Sequence, residues 1–429
     1  MGKALVWFRN DLRISDNESL KTACELHDKV IGIYCFDPRH YEKTSYGFKK
    51  TGKFRAKFLI ESLKELKKNL KELNISIITP QEKPEKAISG LVSKYDISDI
   101  YFQKEWTSEE QKVENSLKKE VENVKFHSFF QQFLYHPEDI PFDSFKEIPR
   151  VFTEFRKRIE KHSAVRDLIP PPKAKNGTNL LQRETAIPRL EDLSFKDFKP
   201  DPRTAFPFKG GEDQSKHRLE DYVWKTENIL TYKVTRNGLI GNDYSSKLSA
   251  WLANGCISPR YIYHEIKRFE KEVKSNQGTY WLIFELMWRD FFKYISLKHG
   301  NDIFKIGGIL NKKLSWKQEE EAFQNWIQGK TEEAFVNANM KEIANTGFMS
   351  NRGRQNVNSF WAKELKQDWC IGAAYFESLL IDYDVHSNWG NWMYNSGVGN
   401  DPRDRKFNIQ SQAERYDPNN EYQDLWLKN

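Results

Sequence analysis

The first 130 residues alternate short apolar runs with amphipathic segments. Residues 50–73 repeat apolar side chains at helical spacing, which predicts a long amphipathic helix. Runs rich in β-branched and aromatic residues predict buried strands at 4–8, 30–36, 75–79, 97–102 and 124–129. Because strands alternate with helices, this region favours an α/β domain with a five-stranded, doubly wound parallel sheet.

The pattern changes between residues 131 and 205. Ten of the sixteen prolines fall between Pro137 and Pro207, and few runs there are typical of strands. This composition predicts a long interdomain connector that lies over the surface, with a short helix around 150–162. An unstructured linker is the alternative.

From residue 206 to residue 429 the apolar periodicity is helical almost throughout. Ser258 and Pro259 supply an N-cap and a first-turn proline for one helix. Residues 279–300 predict an apolar, aromatic helix that ends at Gly300. We therefore expect three parts: an α/β domain at 1–130, a proline-rich connector at 131–205 and an all-α domain at 206–429.

Composition and charge narrow the class of protein only slightly. Lys and Arg number 68 against 61 Asp and Glu, giving a net charge of +7 and a pI near 8.9. This excess suits a polyanionic partner, but it fits a generic basic surface equally well. The N-terminus lacks a signal-peptide pattern, and no apolar run is long enough to span a membrane. We expect a monomeric cytoplasmic protein with four free cysteines and no metal site.

The segment at 379–394, LLIDYDVHSNWGNWMY, concentrates acids, amides and indoles. A helix there would place Asp384, Asn388 and Trp392 along one side at four-residue steps. Such a face combines hydrogen bonding with stacking, and its buried polar groups need partners. A heterocyclic ligand would supply them; the alternative is a surface helix with one buried tryptophan.

Two further segments carry groups suited to anions. Arg352 and Arg354, beside Asn351, could pair with phosphate or with the acids at 382–384, although arginines beside a glycine are usually solvated. Hydroxyls and an ammonium gather at a predicted helix start in Ser245, Ser246, Lys247 and Ser249. Free N–H groups there would suit a pyrophosphate, and ordinary helix capping is the alternative.

The segment FELMWRDFF at 284–292 places Glu285 and Arg289 four residues apart, with Trp288 on the adjoining face. Core aromatic residues with one i,i+4 ion pair between Glu285 and Arg289 explain this segment most simply.

In combination these segments resemble the photolyase/cryptochrome family of flavoproteins, and specifically its DASH-type cryptochromes. The resemblance rests on LVWFRNDLRISDN, TRNGLIGNDYSSKLSAWLANGCISPRYIYHEI, QGTYWLIFELMWRDFF, TGFMSNRGRQNV and LLIDYDVHSNWGNWMY, which follow the family's patterns in order. It covers essentially the whole chain.

The resemblance implies that the helical domain binds FAD. The phosphates and the ribityl chain would contact Tyr232 and the run Ser245, Ser246, Lys247, Leu248 and Ser249. The ring system would meet Arg354, Asp382, Tyr383, Asp384 and Asn388, with Arg354 paired to Asp382 and Asn388 facing the flavin N5. A chain of three tryptophans would lead from the flavin to the surface, formed by Trp392, Trp369 and Trp326.

The resemblance also implies light-driven repair of cyclobutane pyrimidine dimers in DNA. The excited reduced flavin would donate an electron to a dimer flipped into a pocket. The pocket and its rim would be formed by Arg236, Glu285, Trp288, Asn351, Arg352 and Tyr394, with Arg403 and Arg405 as weaker candidates. Glu285 and Asn388, together with the three tryptophans, would carry the reaction.

Two positions depart from standard dimer photolyases. Tyr394 stands where a second pocket tryptophan is usual, and Gln355 stands where a methionine is usual. A smaller and more polar wall stacks a flipped lesion less strongly, so we expect repair mainly in single-stranded DNA.

Glu105 resembles the acid that binds a methenyltetrahydrofolate antenna in DASH proteins, although an exposed acid after a strand would look the same. A blue-light receptor that binds nucleic acid without repair is a second hypothesis, which the expected absence of a signalling tail disfavours. A helical nucleic-acid-binding protein without flavin is a third, and it leaves Asp382 and Asp384 unexplained.

Overall fold

The N-terminal region of the computed structural model, which describes residues 2–182 and 185–428, is a five-stranded parallel sheet. The strand order is β3-β2-β1-β4-β5, and every neighbouring pair is parallel. The strands are β1 (Lys3–Trp7), β2 (Lys29–Ile33), β3 (Ile77–Ile78), β4 (Ile97–Gln103) and β5 (Lys125–Phe129). All five predicted strands are present, but β3 is reduced to two residues because only Gly32 and Ile33 pair with it.

Four helices cover this sheet on both faces. They are α1 (Glu18–Leu26), α2 (Lys53–Glu72), α3 (Pro84–Tyr95) and α4 (Ser108–Glu120). Along β1, Ala4 and Val6 face one hydrophobic core and Leu5 and Trp7 face the other. Side chains alternate across a strand, so a central strand with two covered faces must be apolar throughout.

The connector at 131–205 is more deeply integrated than we expected. Its helix α5 (Phe152–His162) lies where the sequence predicts one, but Phe152, Phe155 and Ile159 are buried in the main core. The segment also bonds to the sheet domain, since the Asn179 Nδ2 donates to the Val30 carbonyl at 3.0 Å. The expectation of a connector confined to the surface was therefore wrong for this helix.

The region after residue 206 is helical. Its helices are α6 (Glu212–Glu220), α7 (Tyr232–Thr235), α8 (Ser249–Ala253), α9 (Pro259–Glu272), α10 (Gln277–His299), α11 (Glu320–Ile327), α12 (Ala334–Thr346), α13 (Asn351–Ser359), α14 (Trp369–Leu379), α15 (Val385–Ser396), α16 (Ile409–Tyr416) and α17 (Glu421–Leu427). In the described part of the chain, no helix combines the length and apolar character that a bilayer crossing requires.

Capping fixes the ends of the helices that matter most for the site. The Ser258 hydroxyl accepts from the Tyr261 amide at 3.0 Å, and Pro259 opens α9 as predicted. Asn276 and Thr279 form a capping box at the start of α10, which ends at Gly300. These caps define both ends of α10, which at 23 residues is the longest helix in the described part of the chain.

The two folded regions are joined by buried charges. Arg260 of α9 binds Asp16 after β1, with Nε to Oδ2 at 3.0 Å. Arg13 donates from Nη1 to the Gly255 carbonyl at 2.9 Å. Because buried charges must be paired, these contacts fix how the sheet faces the helices.

Candidate functional site

A deep cavity of about 520 Å³ lies among the helices of the second half. Its walls come from the loop before α8, from α10, from α13 and from α15. The predicted residues that line it are Tyr232, Arg236, Ser245, Ser246, Lys247, Leu248, Ser249, Glu285, Trp288, Asn351, Arg352, Arg354, Asp382, Asp384 and Tyr394. Segments more than 150 residues apart in the sequence thus converge on a single space.

An arginine–aspartate pair forms one wall of the cavity. The Arg354 Nη2 donates to both carboxylate oxygens of Asp382, at 2.9 and 2.8 Å. Only 3% of the Asp382 side chain is exposed, against 21% of Arg354. The guanidinium therefore neutralises a buried carboxylate, in the pairing that the family resemblance implies.

Asp384 is the N-cap of α15 and also a buried anion. Its Oδ1 accepts from the Ser387 amide at 2.8 Å, and its Oδ2 accepts from the Lys293 Nζ at 2.9 Å. Burial alone would raise the pKa of Asp384, but Lys293 and Arg289 outweigh it, so the pKa lies well below its usual range. The carboxylate stays ionised and presents negative charge to the cavity.

The loop before α8 carries an unpaired cation. Lys247 is 3% exposed, and its Nζ has no hydrogen-bond partner among the described residues. The Nζ lies 3.2 Å from the centre of the Tyr244 ring, and burial lowers the pKa of Lys247 well below its ordinary value. A buried ammonium without a partner is costly, so this part of the wall is suited to an anionic ligand.

Two predicted cofactor contacts lie elsewhere than we expected. Asn388 is 8% exposed and does not line the cavity, because its Nδ2 donates inward to the Ala373 carbonyl at 3.0 Å. Ser387 and Asn391 on the same helix do line it. Tyr383 lines a second cavity instead, where its hydroxyl accepts from the Trp389 Nε1 at 3.3 Å.

The mouth of the cavity carries an acid with an arginine partner. The Glu285 Oε1 accepts from the Arg236 Nη1 at 2.5 Å. The ion pair between Glu285 and Arg289 that the sequence suggested does not form, because Arg289 instead donates to the carbonyls of Gln132 and Leu252. Burial raises the pKa of Glu285, and Arg236 partly opposes this effect.

Two aromatic side chains flank this acid. Trp288 stacks on Phe152 with ring centres 3.8 Å apart, and it meets Tyr394 edge-on at 5.9 Å. The Tyr394 hydroxyl in turn contacts the Arg405 Nη2. The mouth therefore combines an acid, an indole and a phenol, which are groups suited to the edge and face of a base.

The tryptophans do not form the predicted sequence of three. Trp326 is fully buried and meets Trp392 directly, with ring centres 6.2 Å apart, so it cannot be a surface terminus. Trp369 contacts Trp389 at 5.7 Å. The half-buried Trp316 was missed by the sequence reasoning. A bridge between Lys317 and Gln367 holds its segment beside the start of α14.

The second cavity, of about 530 Å³, lies between the sheet and the helices. It opens at the carboxyl ends of β1 and β4, where the strand order reverses and where open α/β sheets bind ligands. Glu105 lines it, 5% exposed, and accepts from the Gln103 Nε2 at 2.8 Å and from the Asn10 Nδ2 at 3.1 Å. The alternative of an exposed acid after a strand is therefore excluded.

The sequence analysis also assigned no place in the site to two cations of α10. Arg289 lines both cavities together with Asp384, and Lys293 reaches Asp384 from α10. Their i,i+4 spacing is the one signal that could have found them, since it places both on the same face of α10. Among the described residues, no group of three or more possible ligands could hold a metal ion.

Comparison with known proteins yields a consistent set of relatives. The DNA photolyase family model matches residues 4–175, and the FAD binding domain of DNA photolyase matches residues 281–429. Cryptochrome DASH of Xenopus laevis is 47% identical over 98% of this chain and 81% of its own length. Cryptochrome DASH of Gloeobacter violaceus is 47% identical over 99% of this chain and 85% of its own.

Solved structures agree with these relatives. A Synechocystis cryptochrome superposes with a TM-score of 0.94 at 45% identity, covering 99% of this chain and 88% of that one. A class III photolyase from Agrobacterium tumefaciens gives 0.83 at 26% identity, covering 100% and 87%. The helical half is a photolyase-type FAD-binding domain, and the chain belongs to the photolyase/cryptochrome family as a DASH-type cryptochrome.

Proposed function

We propose that the protein is a light-driven lyase that splits cyclobutane pyrimidine dimers, mainly in single-stranded DNA. The observation that carries this proposal is the arrangement within one cavity. Glu285, Trp288 and Tyr394 form its mouth, while Lys247 and the Arg354–Asp382 pair form its interior. A base flipped into the mouth would lie next to a flavin held inside.

The interior fits FAD in its chemistry. The unpartnered ammonium of Lys247, with the backbone and hydroxyls of Ser245, Ser246 and Ser249, would hold the diphosphate. Tyr232 and Leu248 supply apolar wall beside it. Asp382 and Asp384 would meet the polar edge of the ring system, with Tyr383 and Asn388 supporting them from behind.

When bound, reduced and excited by light, FAD supplies the electron that opens the cyclobutane ring. The protein's part is to bind and orient the dimer. Burial of Glu285 favours its protonated form, which donates a hydrogen bond to a pyrimidine carbonyl oxygen. Trp288 covers one face of the lesion, and Asn351 and Arg352 hold its backbone from the start of α13.

The preference for single strands follows from the mouth. Tyr394 presents a phenol bonded to Arg405 where a larger indole would stack more strongly, and Gln355 adds a polar group. Extruding a dimer from a duplex costs a few kcal/mol of lost pairing and stacking. Stacking of the dimer on this wall offsets only part of that cost. In a single strand that cost is largely absent.

The interdomain cavity suits a light-harvesting pterin. Glu105 would bind the amino edge of 5,10-methenyltetrahydrofolate, and Tyr34 and Trp389 line the same cavity. Arg289 and Asp384 border both cavities, so an antenna there would lie close to the flavin.

Electron supply from the surface would use tryptophans. We assign Trp392 as the first member and Trp369 as the second. Trp316 replaces Trp326 as the terminus, because Trp316 is half-buried and Trp326 is not exposed at all.

The decisive experiment illuminates the reduced, FAD-loaded protein with a single-stranded oligonucleotide that contains one thymine dimer. We expect recovery of pyrimidine absorbance, and we expect E285Q to lower the repair rate roughly tenfold through the lost hydrogen bond from the Glu285 carboxyl group. E265Q is the matched control, since Glu265 binds Trp224 outside the cavity. A protein that takes up FAD and binds DNA but repairs nothing would instead be a blue-light receptor.

A further inference from the structure

A group of side chains on α16 continues the mouth of the cavity outward. Gln412, Arg415 and Tyr416 lie three and four residues apart, so they share one face of this helix. Tyr416 is half-buried and Arg415 is exposed. None of the three lines the cavity itself, and the sequence analysis assigned none of them a role.

Arg352 joins this face to the cavity. It lines the cavity, and its guanidinium lies 4.7 Å from the centre of the Tyr416 ring. Its Nη2 donates to the Asn237 Oδ1 at 3.2 Å, and its Nη1 donates to the Gln412 Oε1 at 3.4 Å. Two amides from different elements thus fix the guanidinium plane over the phenol.

The charges here lack anionic partners. In the described part of the chain, no carboxylate lies within ion-pair distance of Arg352 or Arg415. The Arg415 guanidinium also lies 5.4 Å from the Tyr416 ring. Burial lowers the pKa of Arg352, and the nearby charges of Arg236 and Arg415 lower it further. An approaching phosphate would relieve this like-charge repulsion.

We propose that Tyr416, Arg352 and Arg415 form a stacking platform that holds the nucleotide next to the dimer in single-stranded DNA. The inference rests on the proposed function and adds a second contact outside its cavity. Arg415 is exposed and free to bind the phosphate, while the adjacent base stacks on the Tyr416 and Arg352 pair. An aromatic ring beside guanidiniums is the usual means of holding an unpaired base.

The platform also selects for single strands. A nucleotide beside a lesion in a duplex is paired and stacked on its own neighbours, so its face is not available to Tyr416. In a single strand the same base can turn onto the ring at little cost. The platform thus adds binding energy that duplex DNA cannot use.

The test compares two ligands that differ only in length. An isolated thymine dinucleotide dimer occupies the cavity alone, whereas a dimer within a single-stranded oligonucleotide also reaches α16. We expect Y416L to weaken binding of the oligonucleotide roughly five- to tenfold and to leave the affinity for the dinucleotide dimer unchanged. Fluorescence anisotropy measures the affinity for the labelled oligonucleotide directly and the affinity for the dinucleotide dimer by competition.

Two variants control for folding and for general surface effects. Y416F keeps the ring and should bind both ligands as the wild type does. Y263L removes another half-buried tyrosine, which has Lys267 over its ring and lies outside the cavity, and should change neither affinity. Flavin content and circular dichroism verify that each variant is folded.

Each outcome separates the platform from the proposed function. Wild-type affinity of Y416L for the oligonucleotide, or equal weakening of both ligands, would overturn the platform. A wild-type protein that ignores the dinucleotide dimer, yet binds oligonucleotides through Tyr416, would overturn lesion recognition and leave the platform standing. A protein that binds no DNA overturns both.

Discussion

At the scale of single residues, the cavity depends on a few buried charges whose partners come from distant segments. Asp382 is paired with Arg354, and Asp384 is ionised beside Lys293. A carboxylate in a dry interior is tolerated only when a cation and hydrogen bonds compensate it. Removing a partner is therefore more harmful than removing the pair.

We expect R354Q to lower the free energy of unfolding by about 3 kcal/mol, since it leaves Asp382 buried without its cation. The double variant R354Q/D382N should recover part of this loss, because the uncompensated charge is gone. Urea denaturation of the four proteins gives the coupling energy.

R166Q is the control, since it breaks the ion pairs of Arg166 with Glu138 and Asp139, whose side chains are each about one-third exposed or more, and it should cost at most about 1 kcal/mol. Strictly additive effects of R354Q and D382N would show that the pair is not coupled.

Glu342 provides a pH-dependent prediction. Burial raises the pKa of Glu342 to about 7, against the opposing effects of the Tyr422 hydroxyl and the Lys247 ammonium. The folded state therefore holds this proton more tightly than the unfolded state. The resulting stability is complete below the unfolded pKa and is lost as the pH rises through about 7.

We expect wild type to lose about 2 kcal/mol of stability relative to E342Q between about pH 5 and about pH 8. Urea titrations of both proteins across this range measure the difference. Parallel stability curves for the two proteins would contradict the shifted pKa.

At the scale of elements, helix α14 packs against α15 through a glycine. A Cβ on Gly372 would overlap the indole ring of Trp392. The two helices can approach this closely only because position 372 has no side chain. The same contact positions the Trp392 indole between α14 and α15.

We expect G372A to destabilise the protein by about 2 kcal/mol through overpacking, and to reduce flavin retention because Trp392 must shift. G90A is its matched control. Gly90 is also helical, and a Cβ there meets no atom within 4 Å, so the substitution should stabilise α3 by about 0.5 to 1 kcal/mol. Thermal unfolding and flavin absorbance distinguish the two effects, and equal responses would contradict the packing argument.

At the scale of the whole molecule, the two cavities share one wall. Arg289 and Asp384 border both, and the Arg260–Asp16 pair fixes the sheet against the helices that carry this wall. The fold therefore places a site at the edge of the sheet beside a site among the helices. Neither domain alone would form the interdomain cavity.

The route for electrons also belongs to this scale, because it runs from the core to the surface. We expect W316F to slow flavin photoreduction by an external reductant several-fold, since Trp316 is the half-buried member beside the start of α14. W326F should leave the rate closer to that of wild type. Bleaching of the flavin band under blue light measures both rates. Slower photoreduction in W326F than in W316F would support the route through Trp326 that the sequence predicted.

Much of the fold could be read from the sequence because local patterns determine local elements. The five strands, the helix at Lys53–Glu72 and the capped start of α9 lie where periodicity and capping residues place them. The burial of α5 could not be foreseen, because its apolar face finds most of its aromatic partners in α10, a segment more than 100 residues away in the chain. Strand β3 is short because pairing, rather than propensity, sets its length.

The sequence by itself determined the element order, the family and the residue types of the site, since motifs and apolar spacing are local properties of the chain. The tertiary structure alone decided which charges meet. In the structure Glu285 pairs with Arg236 rather than with Arg289, and Trp326 is buried in the core. The physical reason is that burial and pairing depend on distances between segments far apart in the chain, which no local pattern records.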